Sequence, residues 1–531
     1  MKRLAIAICM TLAASPAIAQ DRPFRLAHQG DIVTLDPVGV NETHTLALLG
    51  AVYEPLVRRG RALEIEPALA TRWEVVSPTR WRFHLRPNVR FHDGRPFTAD
   101  DVVFSIERTK RQGSDLLSRV AAIAGARAID ARTVEIDTTV PDPTLLANLS
   151  QIYVMSKAWA EANNAVDPEN RRQRVENHAT RNANGTGQMR IARRVPDTET
   201  VFQRNPDWWD RQAGQIAEAI YLPVANPATR VAALISGQID MIFPVPLQDI
   251  PRLTQTAGVK VMEGLDLRTI FLGMEQFKPE IAGSNVRGKN PFADRRVREA
   301  VYRAIDVEAI KRVVMRGRAT PAALLNGEGI EGFDRAQNVR LDHDPARARR
   351  LLAEAGYPDG FEIPMNCPNN RYVNDEQICL AVVQMLAGVG IKVNLQAEPA
   401  GPYFARLARR ESPFWLLGTT PPTYDSFSTL FGLAMCRPDT IPDARTPIQG
   451  QGAFNHGGYC NPRMDAALGA AMTELDPAKR RGHFSEAWRI MREDVAYIPL
   501  HQQALAWAMR DNVDLAQRAD DVLELRFVRW K

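Results

Sequence analysis

The most reactive side chains beyond the first twenty residues of this 531-residue chain are four cysteines, Cys367, Cys379, Cys436 and Cys460. An even number suits disulfides formed in an oxidising compartment. Four cysteines allow three pairings, and the sequence-local ones, Cys367 with Cys379 and Cys436 with Cys460, are expected because each closes a short loop. A metal site is a poor alternative, since no CxxC spacing occurs and the nine histidines stand singly. Covalent and phosphoryl chemistry also lack carriers: there is no GxSxG elbow, no HExxH, no Walker loop, and no GxGxxG leading into a helix. His92-Asp93-Gly94 has the residue types of an acid–base dyad, but Asp-Gly within an alternating stretch is a hairpin turn. No cofactor is expected. Chemistry on this chain is therefore recognition, carried by charges and aromatic rings.

The elements that must position those groups follow from pattern. Lys2 and Arg3, the apolar run Leu4 to Ala14 and the triplet Ala17-Ile18-Ala19 have the three-part layout of a secretory signal peptide, with cleavage expected after Ala19. The apolar run is about half of the ~20 residues a membrane span requires. Cys9 lies within that run behind bulky Ile8, which argues against a lipid-modified N-terminal cysteine. Formal charge falls from +5 to +3 when Lys2 and Arg3 leave. Arg295-Arg296 and Arg349-Arg350 sit in amphipathic helical patterns beside acids, as on solvated faces, and nucleic-acid binding is not supported. With 45% hydrophobic and 24% charged residues the composition is that of a globular protein, and the length implies two or three domains.

Between Trp73 and Phe91, Trp81, Phe83 and Leu85 alternate with Arg80, Arg82, His84 and Arg86, the pattern of a half-buried strand. Thr98 and Asp101 have capping-box spacing ahead of a helix bearing Val102, Val103 and Ile106. The second half alternates helices and strands, implying crossover units and a mainly parallel sheet. Asp344 and Pro345 start a helix that Gly356 ends, with Leu351, Leu352 and Ala355 on its buried side. Phe361 to Met365 is a strand, and a helix from about Asp375 carries Leu380, Val383 and Leu386. Alternating Ile391 to Ala397, a helix with Phe404 and Leu407, and a strand Phe414 to Leu417 follow. Ligands of such sheets sit beyond the carboxyl ends of strands, which points to the loop Gly418 to Phe427.

The stretch WRFHLRPNVRFHDGRPFTADDVVFSIERT, Trp81 to Thr109, resembles the signature of family 5 extracellular solute-binding proteins, the dipeptide, oligopeptide and nickel-chelate group. Further matches keep the family's order: NGTGQMRIARR at 184–194, RNPDWWD at 204–210, RVAALISGQIDMI at 230–242, DRRVREAVYRAID at 294–306, DPARARRLLAEAGYPDGFE at 344–362 and IPLHQQALAW at 498–507. Asp294 and Arg298 within them have the character of helix-start and surface residues. The resemblance implies an α/β fold of the type II periplasmic binding class, two hinged lobes with an extra subdomain. Its first lobe would comprise 20–58, 186–267 and 497–531, its subdomain 59–185 and its second lobe 268–496. It also implies a monomeric periplasmic protein that captures a peptide-like solute without catalysis and hands it to the permease subunits of an ABC importer in the inner membrane.

The same resemblance singles out ligand residues. Arg371, in the loop Cys367 to Asn374, stands where dipeptide-binding relatives place a carboxylate-binding arginine, whose planar fork binds two oxygens. The alternative is a surface arginine packing over Tyr372. Peptide-binding relatives use an aspartate for the ligand's amine a few residues after the strand equivalent to Phe414–Leu417. Here Thr420 takes that place and Asp425 falls five residues later. The recognised group is then other than a free α-amine, or its charge is met by Glu42, in the loop Asn41-Glu42-Thr43-His44 that reaches the cleft in this family. Tyr372, Tyr403, Trp415 and Tyr424 are candidate walls, each with core packing as the alternative. Pro421-Pro422 stiffens the loop between them.

Overall fold

Two long antiparallel strands, Val259–Met274 and Ile498–Arg510, run through the centre of the molecule. The computed structural model describes residues 22–171, 173–210, 216–421, 423–441 and 451–531. The expected signal segment with its cleavage point, and Pro422, lie outside the described residues. The two strands keep register from Val259 opposite Arg510 to Leu265 opposite Ala504, break at 266–268, and resume with Thr269 opposite Gln502. A register shift of this kind bends and twists a ribbon.

On one flank of the ribbon lie Met241–Ile242, Phe24–His28, Glu218–Pro223, Glu199–Arg204 and Met189–Val195; on the other lie Phe414–Thr419, Phe361–Pro368 and Ile391–Glu398. The expectation of a mainly parallel sheet is corrected. Parallel pairing is confined to a trio in each lobe, centred on Phe24–His28 and on Phe361–Pro368, while the central ribbon and the first lobe's outer strands are antiparallel. Crossover helices can join only parallel neighbours, whereas the ribbon is formed by segments that are far apart in sequence.

The second lobe packs its sheet on both faces, so the inner strand Phe414–Thr419 is an apolar run, whereas the edge strand Ile391–Glu398 keeps the expected alternation. Ile363, Ile391 and Leu416 face the layer holding Val382, and Trp415 and Phe271 face the one holding Tyr403, Phe484 and Trp488. Helix Asp375–Ala387 turns Ile378, Cys379, Val382 and Leu386 inward and leaves Leu380 47% exposed, so Leu380 is not on its buried side. Helix Pro345–Glu354 starts as expected, with Asp344 accepting from the Arg347 amide at 2.8 Å. Arg298 is corrected from surface to interior: its guanidinium donates to the carbonyls of Phe292 at 2.8 Å and Val495 at 3.0 Å. Both expected disulfides are present, Cys367 with Cys379 and Cys436 with Cys460.

A separate four-stranded antiparallel sheet, Ala70–Ser77, Arg80–Leu85, Thr133–Thr138 and Ile123–Asp130, packs against helix Ala99–Thr109 around Phe83, Val102, Ile106 and Ile136. The capping box forms, the Thr98 amide donating to Asp101 at 2.9 Å. A fully buried pair ties this subdomain to the first lobe: Arg108 donates to both oxygens of Asp36, at 2.7 and 2.6 Å. His92-Asp93-Gly94 is a second tie. The His92 amide donates to Gly185 O at 2.8 Å, His92 Nε2 lies 3.0 Å from Gly187 O, and Gly94 takes the positive φ (87°) of the turn.

Candidate functional site

A cavity of about 1000 Å³ lies between the two lobes, the break in the central ribbon and the subdomain. Its volume suits a solute of several residues or a comparably sized small molecule. Among the described residues no group of three or more His, Cys, Asp or Glu side chains is placed to hold a metal ion, and no helix is long and apolar enough to cross a membrane.

The second lobe supplies Arg371 and Tyr372 from the short loop joining strand Phe361–Pro368 to helix Asp375–Ala387. Three constraints hold this loop. Asp375 accepts from the amides of Arg371 and Tyr372, both at 2.9 Å. The Cys367–Cys379 disulfide staples the strand end to the helix. The Tyr372 ring is 8% exposed and its hydroxyl donates to Gly418 O at 3.3 Å. Residue 418 has to lack a side chain for this packing, because a Cβ there would lie 2.8 Å from Tyr372 Cε1.

Two guanidiniums lie beside that ring. Arg371 lies 5.1 Å from its centroid and Arg268, from the ribbon break, lies 6.0 Å away. Both line the cavity, and no hydrogen-bond or ion-pair partner for either side chain exists among the described residues. Burial, and next the charge of Arg268, weaken the hold of Arg371 on its proton. Two like charges beside one ring are tolerated poorly unless an anion joins them, and a carboxylate fits that place. Below them Asp266 is buried, accepting from Gln503 Nε2 at 3.1 Å and the Arg268 amide at 2.9 Å, with burial pushing its pKa up.

Thr420 also lines the cavity, and its Oγ1 is buried without a hydrogen-bond partner. Tyr424 reaches across to the first lobe's C-terminal segment, donating to Asp520 at 2.7 Å with the Arg59 guanidinium 4.6 Å from its ring centroid. The backbone follows the same contact, since Arg59 Nη2 donates to Thr423 O at 3.0 Å.

The first lobe's wall is differently occupied. Glu42 lines the cavity but serves as N-cap of helix Thr43–Leu49, accepting from the amides of His44 at 2.9 Å and Thr45 at 2.7 Å. His44 stacks on His28 with centroids 3.6 Å apart, and its Nε2 lies 2.7 Å from the Tyr221 hydroxyl. Burial lowers the pKa of His44 to about 4; burial, followed by the His44 charge, lowers that of His28 to about 3, so both rings are neutral at pH 7.

Three expected site residues lie outside the cavity. Asp425 is buried in a bidentate pair with Arg480 and caps helix Ser426–Leu433 through the Phe427 amide at 2.8 Å. Tyr403 is fully buried and donates to Leu416 O. Trp415 is 1% exposed, with its ring against residues 273 and 457, where only glycine leaves room. Arg268 and Asp266 were absent from the sequence reading, although two charges inside the otherwise apolar run from Leu265 to Met274 are a signal that the strand is interrupted there.

A two-lobed α/β architecture with a central ribbon, an inserted subdomain and a charged cavity between the lobes defines a solute-binding protein of the type II periplasmic class. Residues 64–439 match the model of bacterial extracellular solute-binding proteins, family 5, and the chain belongs to that family. It is 25% identical over 521 residues to the glutathione-binding protein GsiB of Salmonella typhi, spanning 96% of this chain and 94% of that one. Two solved structures share the fold. Periplasmic DppA from Helicobacter pylori in complex with the peptide STSA aligns with a TM-score of 0.77 at 22% identity, covering 96% of this chain and 98% of the other. NikZ from Campylobacter jejuni in complex with Ni(L-His) aligns with a TM-score of 0.76 at 20% identity, covering 94% and 96%. The family is one of binding proteins, not enzymes.

Proposed function

We propose that this protein is the periplasmic capture component of an ABC importer, taking a peptide-like solute by its carboxylate and delivering it to the membrane permease as a monomer. The observation that carries this reading is the pair Arg371 and Arg268, unpartnered and both beside Tyr372 in the wall of an interlobe cavity. The partition into lobes at 20–58, 186–267 and 497–531 against 268–496, with the subdomain at 59–185, is supported by the register break at 266–268, a natural hinge. Solute contacts from both lobes would stabilise a closed form that the permease recognises. Export with removal of the leader after Ala19 fits the two disulfides.

Glutathione, named for relatives at 25–26% identity, is the first solute to try, and dipeptides the second. Native mass spectrometry of protein purified from the periplasm should show a bound solute with a carboxylate, and calorimetry should show one peptide-like molecule bound per chain. A cleaved product in place of an unchanged solute, or a ligand without any carboxylate, would overturn the proposal. N-terminal sequencing that starts at Gln20 would support the cleavage point.

A further inference from the structure

The cavity's carboxylates are all partnered, whereas some of its arginines are not. Every carboxylate in its wall accepts a hydrogen bond from the protein: Glu42 from two amides, Glu54 from Thr186, Trp208 and Trp209, Asp266 from Gln503, Asp520 from Tyr424, Asp521 from Trp507 and Glu524 from Arg518. Several arginines in the wall are similarly satisfied, Arg58 by Glu66 and Asp210 and Arg518 by Asp520 and Glu524. Arg526 pairs with Glu66 and Glu524 and Arg59 donates to the carbonyls of Leu63 and Thr423, whereas the side chains of Arg268, Arg371 and Arg119 have no hydrogen-bond or ion-pair partner among the described residues.

Arg119 differs from the other two in origin. It ends the short 3₁₀ turn Leu117–Arg119 of the inserted subdomain and enters the cavity on the side of Tyr424, whereas Arg371 and Arg268 stand at Tyr372. Its Nε is buried with no hydrogen-bond partner, and no ion pair engages its side chain among the described residues. Burial weakens its hold on its proton, with only the Tyr424 phenol group acting in the other direction. An arginine desolvated without an anion is costly, and a ligand that brings the anion removes the cost. Thr420, whose Oγ1 is also buried and unpartnered in this wall, can add a neutral donor.

We infer that Arg119 is a second anion-binding point, so that the solute carries two separate acidic groups, one for Arg371 with Arg268 and one for the subdomain. This deepens the proposed function and rests on it. The subdomain then reads the ligand's second acidic group, with Thr420 beside it as a neutral donor.

Calorimetry on the mature protein tests the inference with matched pairs that differ by one carboxylate, Ala-Glu against Ala-Gln and glutathione against its glycyl monoethyl ester. The two-carboxylate member of a pair should bind about tenfold or more tightly than its partner, the range of one charged hydrogen bond. Arg119→Ala should abolish most of that preference, Arg119→Lys should restore part of it, and the Tm without ligand should stay near wild type. An Arg119→Ala variant that keeps the full preference, or loses affinity equally for both members of each pair, overturns the second anion point while leaving peptide capture standing. Wild-type protein that binds none of the four probes and carries no co-purified carboxylate solute overturns the proposed function, and this inference with it.

Discussion

The two walls of the cleft are built on opposite plans. In the first lobe Glu42, His28 and His44 satisfy one another's neighbourhood: the carboxylate caps a helix, the rings stack and the tyrosine hydroxyl at 221 closes the network. In the second lobe and at the ribbon break, Arg371, Arg268 and Thr420 are held in position by backbone and disulfide but have no partner for the groups that face the cavity. A wall that is already satisfied supplies shape, and a wall with rigidly held but unsatisfied donors supplies affinity. Residue type alone does not separate the two, since Glu42 and Arg371 are both charged loop residues.

The largest effect should come from the acid that only resembles a ligand group. Asp425→Ala breaks a buried pair with Arg480, whose side chains are 9% and 7% exposed, and should cost about 3–5 kcal/mol of stability in urea melts. Ligand affinity measured well below the transition should hardly change; a selective loss of affinity at full stability would put Asp425 back in the site. Next, removing the Cys367–Cys379 staple as a double alanine variant releases a loop with a sequence separation of 12 and should cost about 3 kcal/mol. Affinity should fall too, because the loop that carries Arg371 loses its anchor. Arg371→Ala should weaken a carboxylate-bearing solute about tenfold or more, the scale of one charged hydrogen bond. Unchanged affinity would remove Arg371 from the site. Glu42→Ala should cost about 1 kcal/mol as a lost helix cap, with little effect on binding, and a large affinity loss would erase the contrast between the walls.

Proton linkage supplies the mildest test. His28 and His44 titrate at about 3 and about 4 in the folded protein against 6.5 when unfolded. Between pH 6.5 and 4 the unfolded chain therefore takes up protons that the folded chain refuses, so stability falls as pH drops through that window. Asp521, pushed up to about 7 by burial from an ordinary 3.8, acts the other way, because the folded chain holds its proton where the unfolded chain does not. His44→Gln should flatten the loss seen between thermal melts at pH 7 and pH 5, and Asp521→Asn should steepen it. A His44 variant with the wild-type slope would show that the stacked pair is not buried in solution.

Much of the chain's local order was legible beforehand. The cap at Thr98, the start at Asp344-Pro345 and the strand through Trp81, Phe83 and Leu85 follow from spacing of a few residues, the two sequence-local cysteine pairings were the favoured ones of three, and the structure contains each of them. Leu380 lies on its expected helix but is exposed, and Arg298, expected at the surface, is interior, for a common reason. An exposed leucine and a buried arginine violate the average preference of their types, and only the neighbours decide: Arg298 finds main-chain carbonyls at the end of a distant helix.

By itself, the sequence determined which segments are strands and helices, which cysteines can pair locally, that the usual covalent motifs are missing, and, through motifs in order, the family. The tertiary structure decided the site. Arg268 and Arg371 are 103 positions apart and Arg119 is further still from both, yet all three line one cavity, because the central ribbon joins segments from the two halves of the chain. Whether a charged side chain is free for a ligand depends on what stands within about 3 Å of it, and such neighbours come mostly from sequence-distant elements. Trp415 and Asp425 were therefore candidates in the sequence and are core in the fold, while Arg119, unremarked among the chain's arginines, became a binding group once burial left it without a partner.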